Sequence, residues 1–204
     1  MFIDKCLKGL LYSLLSVVFL CNAYAQSSYL EPPDKFLLRV SEEAVSAMKK
    51  ELDPAKIDLL KLNEIVKIYM LPHVDFQKMT KLTAGRHWQT ATNEQKEELI
   101  NLFRKKLIKT YSMALLQISP NATMSTYVNK TGIDCSNTIA KSIIKEPNGQ
   151  SIQIGYRLSI AENKWKIYDV SIEGLWLVEN YRSQFNKEIN KSGINNLIKK
   201  LNDN

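Results

Sequence analysis

The stretch that decides the fold is residues 151–172, "SIQIGYRLSIAENKWKIYDVSI". Its first part, residues 151–160, alternates between apolar and polar side chains, and a period of two is typical of a strand with one buried face. The residues "ENK" (162–164) predict a turn, and residues 164–172 return as a second strand. The stretch therefore predicts an antiparallel hairpin with an apolar face.

The alternation also assigns each side chain of the hairpin to one side of the sheet. On the first strand it places five apolar side chains together: Ile152, Ile154, Tyr156, Leu158 and Ile160. On the second strand it places Tyr168, Val170 and Ile172 on one side and Trp165 and Ile167 on the opposite side. Such an apolar face has to be covered by other parts of the chain, because its exposure to water is unfavourable.

Further strands and helices flank the hairpin. Residues 122–130 and 135–146 also have strand character, and Asn148-Gly149 is a strong hairpin-turn signal. Helical spacing predicts helices over 32–50, from Asp53-Pro54 to Pro72, from Asp75 to Gly85, from a capping box at Thr92 and Gln95 to Ser119-Pro120, and over about 175–190 and 193–202. This order predicts an α+β fold in which helices wrap a curved antiparallel sheet and enclose a cone-shaped cavity.

The first 25 residues have the layout of a secretory signal peptide. Lys5 and Lys8 precede an uncharged apolar run at 9–20, and Ala23 and Ala25 form an A-x-A cleavage site. The apolar run is shorter than the roughly 20 residues that a transmembrane helix needs. We therefore expect residues 1–25 to be removed and residues 26–204 to form a single exported domain.

The charge of the chain is +7, from 28 basic and 21 acidic residues. The lysines are scattered, apart from a short cluster at 103–109, and no nucleic-acid motif accompanies them. We interpret them as a solvated surface that also suits docking to acidic partners, and we expect no nucleic-acid binding. After cleavage Cys135 is the remaining cysteine, so no intramolecular disulfide is expected.

Reactive groups in catalytic or metal-ligating patterns are not evident. His73 and His87 lack a second ligand at metal-binding spacing, and nucleophile-elbow and phosphate-loop motifs are missing. One enzymatic alternative is left: a buried Asp169 or Asp75 acting as a base on a hydrophobic small molecule. Against it, Asp169 alternates opposite to the apolar residues of its strand. We expect no enzyme activity, no cofactor and no metal.

Four segments together resemble the MlaC-type family, also called toluene-tolerance auxiliary proteins. They are "LPHVDFQKMTKLTAGRHWQTAT" (71–92), "FRKKLIKTYSMAL" (103–115), "WKIYDVSIEGLWLVENYRSQF" (165–185) and "GINNLI" (193–198). The resemblance implies a nuclear-transport-factor-2-like sheet with extra N-terminal helices and an apolar pocket for acyl chains. Members of the family are periplasmic phospholipid carriers that maintain outer-membrane lipid asymmetry.

The resemblance also implies partners and a binding site. The partners would be phospholipid as cargo, an inner-membrane ABC lipid transporter with its substrate-binding subunit, and an outer-membrane lipoprotein–porin complex. Ile152 and Leu175 are the leading lipid contacts, and Trp176 stands where a small residue is common and would reshape the pocket entrance. The full expected lining is Ile152, Ile154, Tyr156, Leu158, Tyr168, Val170, Ile172, Leu175, Val178, Leu82, Trp88, Phe103, Leu107 and Tyr111. A chaperone-like binder of lipoproteins or unfolded polypeptide is a third alternative, since it would also need apolar surface.

Overall fold

A computed structural model describes residues 30–53, 58–119, 121–128 and 137–203. The predicted signal peptide at 1–25, Cys135 and the turn that begins at Pro54 lie outside the described residues. The fold class predicted from the sequence is confirmed, because the structure combines helices with an antiparallel sheet.

The sheet has five strands in the order β1-β2-β3-β4-β5, each antiparallel to its neighbours. Their bounds are Thr123–Val128 (β1), Asn137–Lys145 (β2), Ser151–Ala161 (β3), Lys164–Ile172 (β4) and Leu175–Trp176 (β5). Glu162 and Asn163 link β3 to β4 with φ angles of 51° and 58°. Two successive positive φ angles are characteristic of the tight turns that join hairpin strands, so the predicted hairpin over 151–172 is confirmed.

A β-bulge interrupts the pairing of β3 with β4. Tyr156 lies opposite Val170, but Leu158 lies opposite Ile167, so β4 contains one extra residue at this point. Cross-strand partners share a face of the sheet. Ile167 therefore lies on the same face as Val170, and so does Trp165, which is paired with Ile160. The prediction that these two residues lie on the side opposite Val170 and Ile172 is wrong, because strict alternation does not continue through a bulge.

The helices α1 to α7 precede and follow the sheet. Their bounds are Pro33–Glu51 (α1), Leu59–Ile65 (α2), Phe76–Ala84 (α3), His87–Thr90 (α4), Asn93–Leu115 (α5), Leu177–Ser192 (α6) and Ile194–Asn202 (α7). The Asp75 carboxylate accepts from the Lys78 amide at 2.8 Å and caps α3, while Thr92 and Gln95 form the predicted capping box of α5. Both predicted caps are confirmed.

A single helix is predicted between Asp53 and Pro72, but the structure has a short α-helix followed by two other helical turns. Helix α2 is capped by Asp58, whose carboxylate accepts from the Lys61 amide at 3.0 Å. A π-helix at Val66–Met70 and a 3₁₀ helix at Leu71–His73 follow it. Apolar spacing alone does not distinguish a continuous α-helix from these wider and tighter turns, because all three keep side chains on roughly one face over a short run.

The helical core lies between α3, α5, α6 and α7. Phe103 is its centre: it is 0% exposed and packs edge-on against Tyr181 at 5.0 Å and Phe185 at 5.2 Å between ring centroids. Perpendicular aromatic pairs at this distance are favourable beyond the area that they bury. This core fixes the C-terminal helices against α3 and α5. Val170 of β4 packs against it from the sheet.

Candidate functional site

One face of the sheet is turned toward the helices, and we call it the covered face. The register places seventeen side chains on it: Met124, Thr126, Val128, Thr138, Ala140, Ser142, Ile144, Ile152, Ile154, Tyr156, Leu158, Ile160, Trp165, Ile167, Val170, Ile172 and Leu175. Most of them are apolar. The opposite face, by contrast, leaves Tyr127 and Ile139 45% and 41% exposed. The sheet thus presents its apolar side inward.

Several contacts show which parts of the chain lie over the covered face. Helix α1 contacts β1 and β2. The indole Nε1 of Trp165 donates to the backbone oxygen of Glu31, just before α1, at 2.8 Å. At the other side, Val170 packs against the helical core. The covered face therefore lies beneath α1 and beside the C-terminal helices.

The central residues of the covered face remain partly open to solvent. Ile152, Ile154 and Tyr156 on β3, and Val170 and Ile172 on β4, are only half-buried. Protein cores are packed at the density of organic crystals, so apolar side chains that lie under helices are normally closed off completely. Half-burial leaves part of each of these side chains as surface that an apolar ligand can contact.

Tyr156 brings a polar group to this apolar surface. Its hydroxyl is hydrogen-bonded to the Ser142 side chain, and burial raises the pKa of its phenol. The Ser142 hydroxyl, which is fully buried, also lies 2.8 Å from the Thr126 hydroxyl. Tyr156 is thus surrounded by protein atoms but still partly accessible to solvent, as expected for a side chain that lines a concave surface. The three hydroxyls satisfy one another there.

Four of the expected lining residues belong to closed packing instead. Leu158 and Phe103 are 0% exposed, and Val178 and Leu107 are 4% and 8% exposed. Phe103, Leu107 and Val178 are members of the helical core. In this structure they are closely packed and have almost no surface open to a ligand. Large apolar side chains look alike in sequence whether they fill a core or line a pocket.

Four more of the expected lining residues lie at the margins. Leu82 and Tyr111 pack against the helical core while staying half-buried. Trp88 is half-buried, and the Lys96 ammonium lies 5.8 Å from its ring centroid. Tyr168 sits at the bulge, with the Lys78 ammonium 3.9 Å from its ring centroid. These four side chains do not join the central group on the covered face.

Leu175 and Trp176 lie on opposite sides of the sheet edge. Leu175 is paired with Ile172 on the covered-face side, but it is 72% exposed. Trp176 is paired with Ser171, and its ring lies 4.0 Å from the Arg157 guanidinium and close to Gly155. A side chain at position 155 would meet the Trp176 ring at 3.2 Å. Trp176 therefore packs on the outer face of the sheet, against Arg157 and Gly155.

The two carboxylates considered as catalytic bases have structural partners. Asp169 is 0% exposed and accepts from the Arg157 guanidinium at 2.8 Å and from the amides of Val170 and Val178 at 2.9 and 3.0 Å. Burial raises the pKa of Asp169, while these donors act in the opposite direction. Asp75 caps α3. Asp169 joins the bulge of β4 to the start of α6, and a buried carboxylate with three donors is not accessible to a substrate.

Metal-ligand groups and membrane-spanning helices are also absent from the described residues. Among them, no group of histidine, cysteine, aspartate and glutamate side chains is arranged to hold a metal ion. None of the helices in the described ranges combines the length and the apolar character required to cross a bilayer.

Two clefts open at the junctions between helices. The first, of about 590 Å³, is lined by Leu71, Pro72, Val74, Asp75, Phe76, Gln77, Ile100, Arg104, Ala161, Glu162 and Lys166. The second, of about 580 Å³, is lined by Ala84, Gly85, Arg86, Glu179, Arg182, Ser183 and Asn186. The half-buried residues of the covered face line neither of these two clefts.

Comparisons with known proteins agree with one another. The family model described as MlaC protein matches residues 38–203. The chain is 23% identical over 172 residues to the intermembrane phospholipid transport system binding protein MlaC of Haemophilus influenzae, covering 83% of this chain and 80% of that protein. A solved structure of a phospholipid-binding protein from Ralstonia solanacearum in complex with a phospholipid is 29% identical, with a TM-score of 0.76 and coverage of 83% of this chain and 94% of the other.

Proposed function

Because the chain belongs to the MlaC protein family, we propose that it is a phospholipid carrier that holds acyl chains against the covered face. The observation that carries the proposal is the half-burial of Ile152, Ile154, Tyr156, Val170 and Ile172. These side chains are apolar or aromatic, lie on the sheet face that α1 contacts at β1 and β2, and keep part of their surface accessible. The related protein from Ralstonia solanacearum was solved with a phospholipid, which supports the same cargo for this chain.

The free energy of exposing an acyl chain to water explains why such a surface is needed. Hiding one methylene group from water is worth about 0.8 kcal/mol. An acyl chain of about 16 carbons therefore costs on the order of 12 kcal/mol when it is left in water. A carrier has to offset most of this cost without holding the chain much more tightly than a membrane does. Branched and aromatic side chains such as those of Ile154 and Tyr156 provide a hydrocarbon-like surface for this purpose.

The carrier role needs no reacting group, and we propose that the protein is not an enzyme and uses no cofactor. Asp169 is held by three donors and Asp75 caps a helix, so neither carboxylate is placed to act on a ligand at the covered face. The enzymatic alternative is not favoured by any contact of these residues.

We further propose that the protein works in the periplasm and exchanges lipid with membrane-bound partners. The signal-peptide pattern at residues 1–25 supports export. The relative from Haemophilus influenzae is named as the binding protein of an intermembrane phospholipid transport system, which supports partners of that kind: an inner-membrane ABC transporter and an outer-membrane lipoprotein–porin complex. The net positive charge suits docking to acidic surfaces.

Native mass spectrometry of protein purified from cells without added lipid tests the carrier function. The expected result is a population that carries diacyl phospholipid. Protein that carries no lipid, in a preparation where a known lipid-binding protein handled identically retains its cargo, would contradict the proposal. Bound polypeptide instead of lipid would replace it with the chaperone-like alternative.

A further inference from the structure

Arg104 on α5 carries a positive charge that is not paired with a carboxylate of the described residues. Its Nε is completely buried and has no hydrogen-bond partner among the described residues. Its guanidinium carbon lies 5.1 Å from the Phe76 ring centroid. In the described part of the chain, Arg104 forms no ion pair. A buried donor without a partner is unusual, because it has lost its hydrogen bonds to water. The Arg104 side chain as a whole is half-buried and lines a cleft, so the rest of its guanidinium can meet an acceptor that the described residues do not supply.

The cleft that Arg104 lines combines a second cation with apolar walls. Leu71, Val74 and Ile100 provide apolar surface, and Lys166 provides an ammonium group. The Lys166 ammonium donates to the Pro72 carbonyl at 2.6 Å, which leaves its other two hydrogens available.

The cleft also contains two carboxylates, but neither is paired with Arg104 or Lys166 within salt-bridge distance in the described structure. One Asp75 oxygen already accepts from the Lys78 amide at 2.8 Å, at the positive end of α3. Glu162 lies exposed in the turn between β3 and β4. Neither carboxylate forms an ion pair with Arg104 or Lys166 at the distances described.

The position of the cleft connects it to the covered face. Val74 pairs with Ile167 in an isolated bridge, and the Asp75 amide donates to the Ile167 carbonyl at 2.8 Å. Ile167 belongs to the covered face, and Phe76 belongs to the helical core. The cleft thus opens where the helical layer meets the edge of β4, at the Ile167 end of the covered face and outside the group of half-buried side chains.

We propose that this cleft binds the phosphate group of the carried phospholipid through Arg104, with Lys166 as a second donor. The proposal rests on the carrier function proposed above and adds a polar contact to it. A phospholipid phosphate is an anion attached to a glycerol and two hydrocarbon chains, and the cleft presents two cations beside apolar walls. The planar guanidinium matches two phosphate oxygens at once.

The contact predicts a specific pattern of selectivity. Every phospholipid has this phosphate whatever alcohol is esterified to it, so the site recognises phospholipids as a class. Diacylglycerol, which has the same chains and glycerol but no phosphate, lacks the anion. The protein is therefore expected to prefer a phospholipid over the diacylglycerol with identical chains, with little preference among headgroups.

Competition between two lipids tests the proposal. Purified protein is incubated with equal amounts of phosphatidylglycerol and diacylglycerol of identical chains, and the bound lipids are counted by native mass spectrometry. The natural sequence is expected to favour phosphatidylglycerol by about tenfold, the effect of one charged hydrogen-bonded contact. Arg104→Gln is expected to bring the ratio close to one while diacylglycerol binding persists. Lys166→Gln, which lies at the cleft surface, is expected to reduce it partially.

A matched control separates this contact from general loss of charge. Arg39→Gln removes a guanidinium that is exposed and paired with Glu31 and Glu43, and it is expected to leave the lipid ratio unchanged. Melting temperatures establish that each variant is folded before its ratio is compared. If Arg104→Gln fails this check, Arg104→Lys and Lys166→Gln provide the comparison.

The remaining outcomes overturn the proposal in distinguishable ways. An unchanged ratio in folded Arg104→Gln and Lys166→Gln overturns the phosphate site and leaves the carrier function standing. If those variants keep the ratio but lose lipid transfer to acceptor proteins, the cleft is a protein-docking site instead. Sodium phosphate that displaces the phospholipid at millimolar concentration would show a site for free phosphate. A natural sequence that binds neither lipid contradicts the carrier function itself.

Discussion

Leu158 and Ile167 lie opposite each other on β3 and β4, one residue out of step with the pair formed by Tyr156 and Val170. The bulge between these pairs places both on the same face of the sheet. It allows β4 to present buried Ile167 at one end of the covered face and half-buried Val170 further along it. The continuity of the covered face along β4 depends on this irregularity, because strict alternation would place Trp165 and Ile167 on the face opposite Val170.

Ile152→Asp is expected to reduce lipid retention at least about tenfold, because it places a charge against hydrocarbon. Ile152 is half-buried on the covered face, so the fold is expected to tolerate the change better than it would at a closed core position. Co-purified phospholipid per mole of protein is the measurement. Ile139→Asp is the matched control, since Ile139 is 41% exposed on the opposite face and its substitution is expected to preserve the cargo. Equal losses in both variants would contradict the assignment of the binding face.

Leu175→Asp is expected to have a smaller effect than Ile152→Asp. Leu175 is 72% exposed at the edge of the sheet, so the melting temperature is expected to change little. Lipid retention is expected to fall only modestly, because the side chain lies at the border of the covered face and not within it. Complete loss of lipid with an unchanged melting temperature would show that Leu175 contacts the cargo directly and would require a pocket that extends past β5.

Trp176→Ala is expected to leave lipid retention unchanged and to lower the free energy of unfolding by about 1 kcal/mol or more, through loss of the contacts with Arg157 and Gly155. Urea denaturation measures the stability, and co-purified lipid measures the capacity. An increase in bound lipid would place Trp176 at the entrance of the binding site, contrary to its position on the outer face.

Asp169→Ala is expected to destabilise the fold by about 2–3 kcal/mol, since it removes a buried acceptor from one guanidinium and two amides. Arg157 keeps its second contact with Glu179, which limits the loss. Denaturant unfolding is the measurement. Lipid binding by the protein that remains folded should be preserved, and a folded variant without cargo would revive a direct role for Asp169.

His73 predicts a pH dependence of stability. Burial lowers its pKa from the ordinary value of 6.5, with a further contribution from Arg39. The unfolded chain therefore takes up a proton near pH 6.5, whereas the folded protein does so only at lower pH. Stability from this group is present above pH 6.5 and is lost as the pH falls from 6.5 toward the folded pKa.

Urea denaturation between pH 7.5 and 5 measures this effect, because histidine titrates within this pH range. His73→Gln is expected to show a shallower loss of stability in that window than the natural sequence. The variant also loses the edge-on contact with Phe36, at 5.5 Å between ring centroids, so the comparison concerns the slope with pH and not the absolute stability. Identical slopes would show that other groups control the dependence.

The elements governed by local rules could be predicted from the sequence. The turn at Asn148-Gly149, the cap at Asp75 and the capping box at Thr92 depend on side chains within a few residues, and all three are present. The apolar face of β3 follows from period two and is kept along the strand. Alternation and capping are properties of neighbouring residues, so one sequence is sufficient to show them.

The features that sequence reasoning missed depend on contacts between distant segments. The bulge at Tyr168 has no signal in the sequence of β4. The alternation of side chains therefore predicts a regular strand through the position where the register shifts. The ion pair between Arg157 and Asp169 can be predicted only when it is known which strand positions lie opposite each other. Trp176 is directed outward by its pairing with Ser171. A glycine at position 155 leaves room for the Trp176 ring and is a signal of this packing. The two residues can be recognised as neighbours only once the pairing of the strands is known.

The position of the acyl chains is tested most directly by a phospholipid with a nitroxide on its acyl chain, bound to protein with labelled isoleucine methyl groups. A nitroxide broadens the NMR signals of nearby protons. The covered face predicts a greater loss of signal at Ile152, Ile154 and Ile172 than at Ile139 and Ile143 on the opposite face. A greater loss at Ile139 and Ile143 would contradict the account.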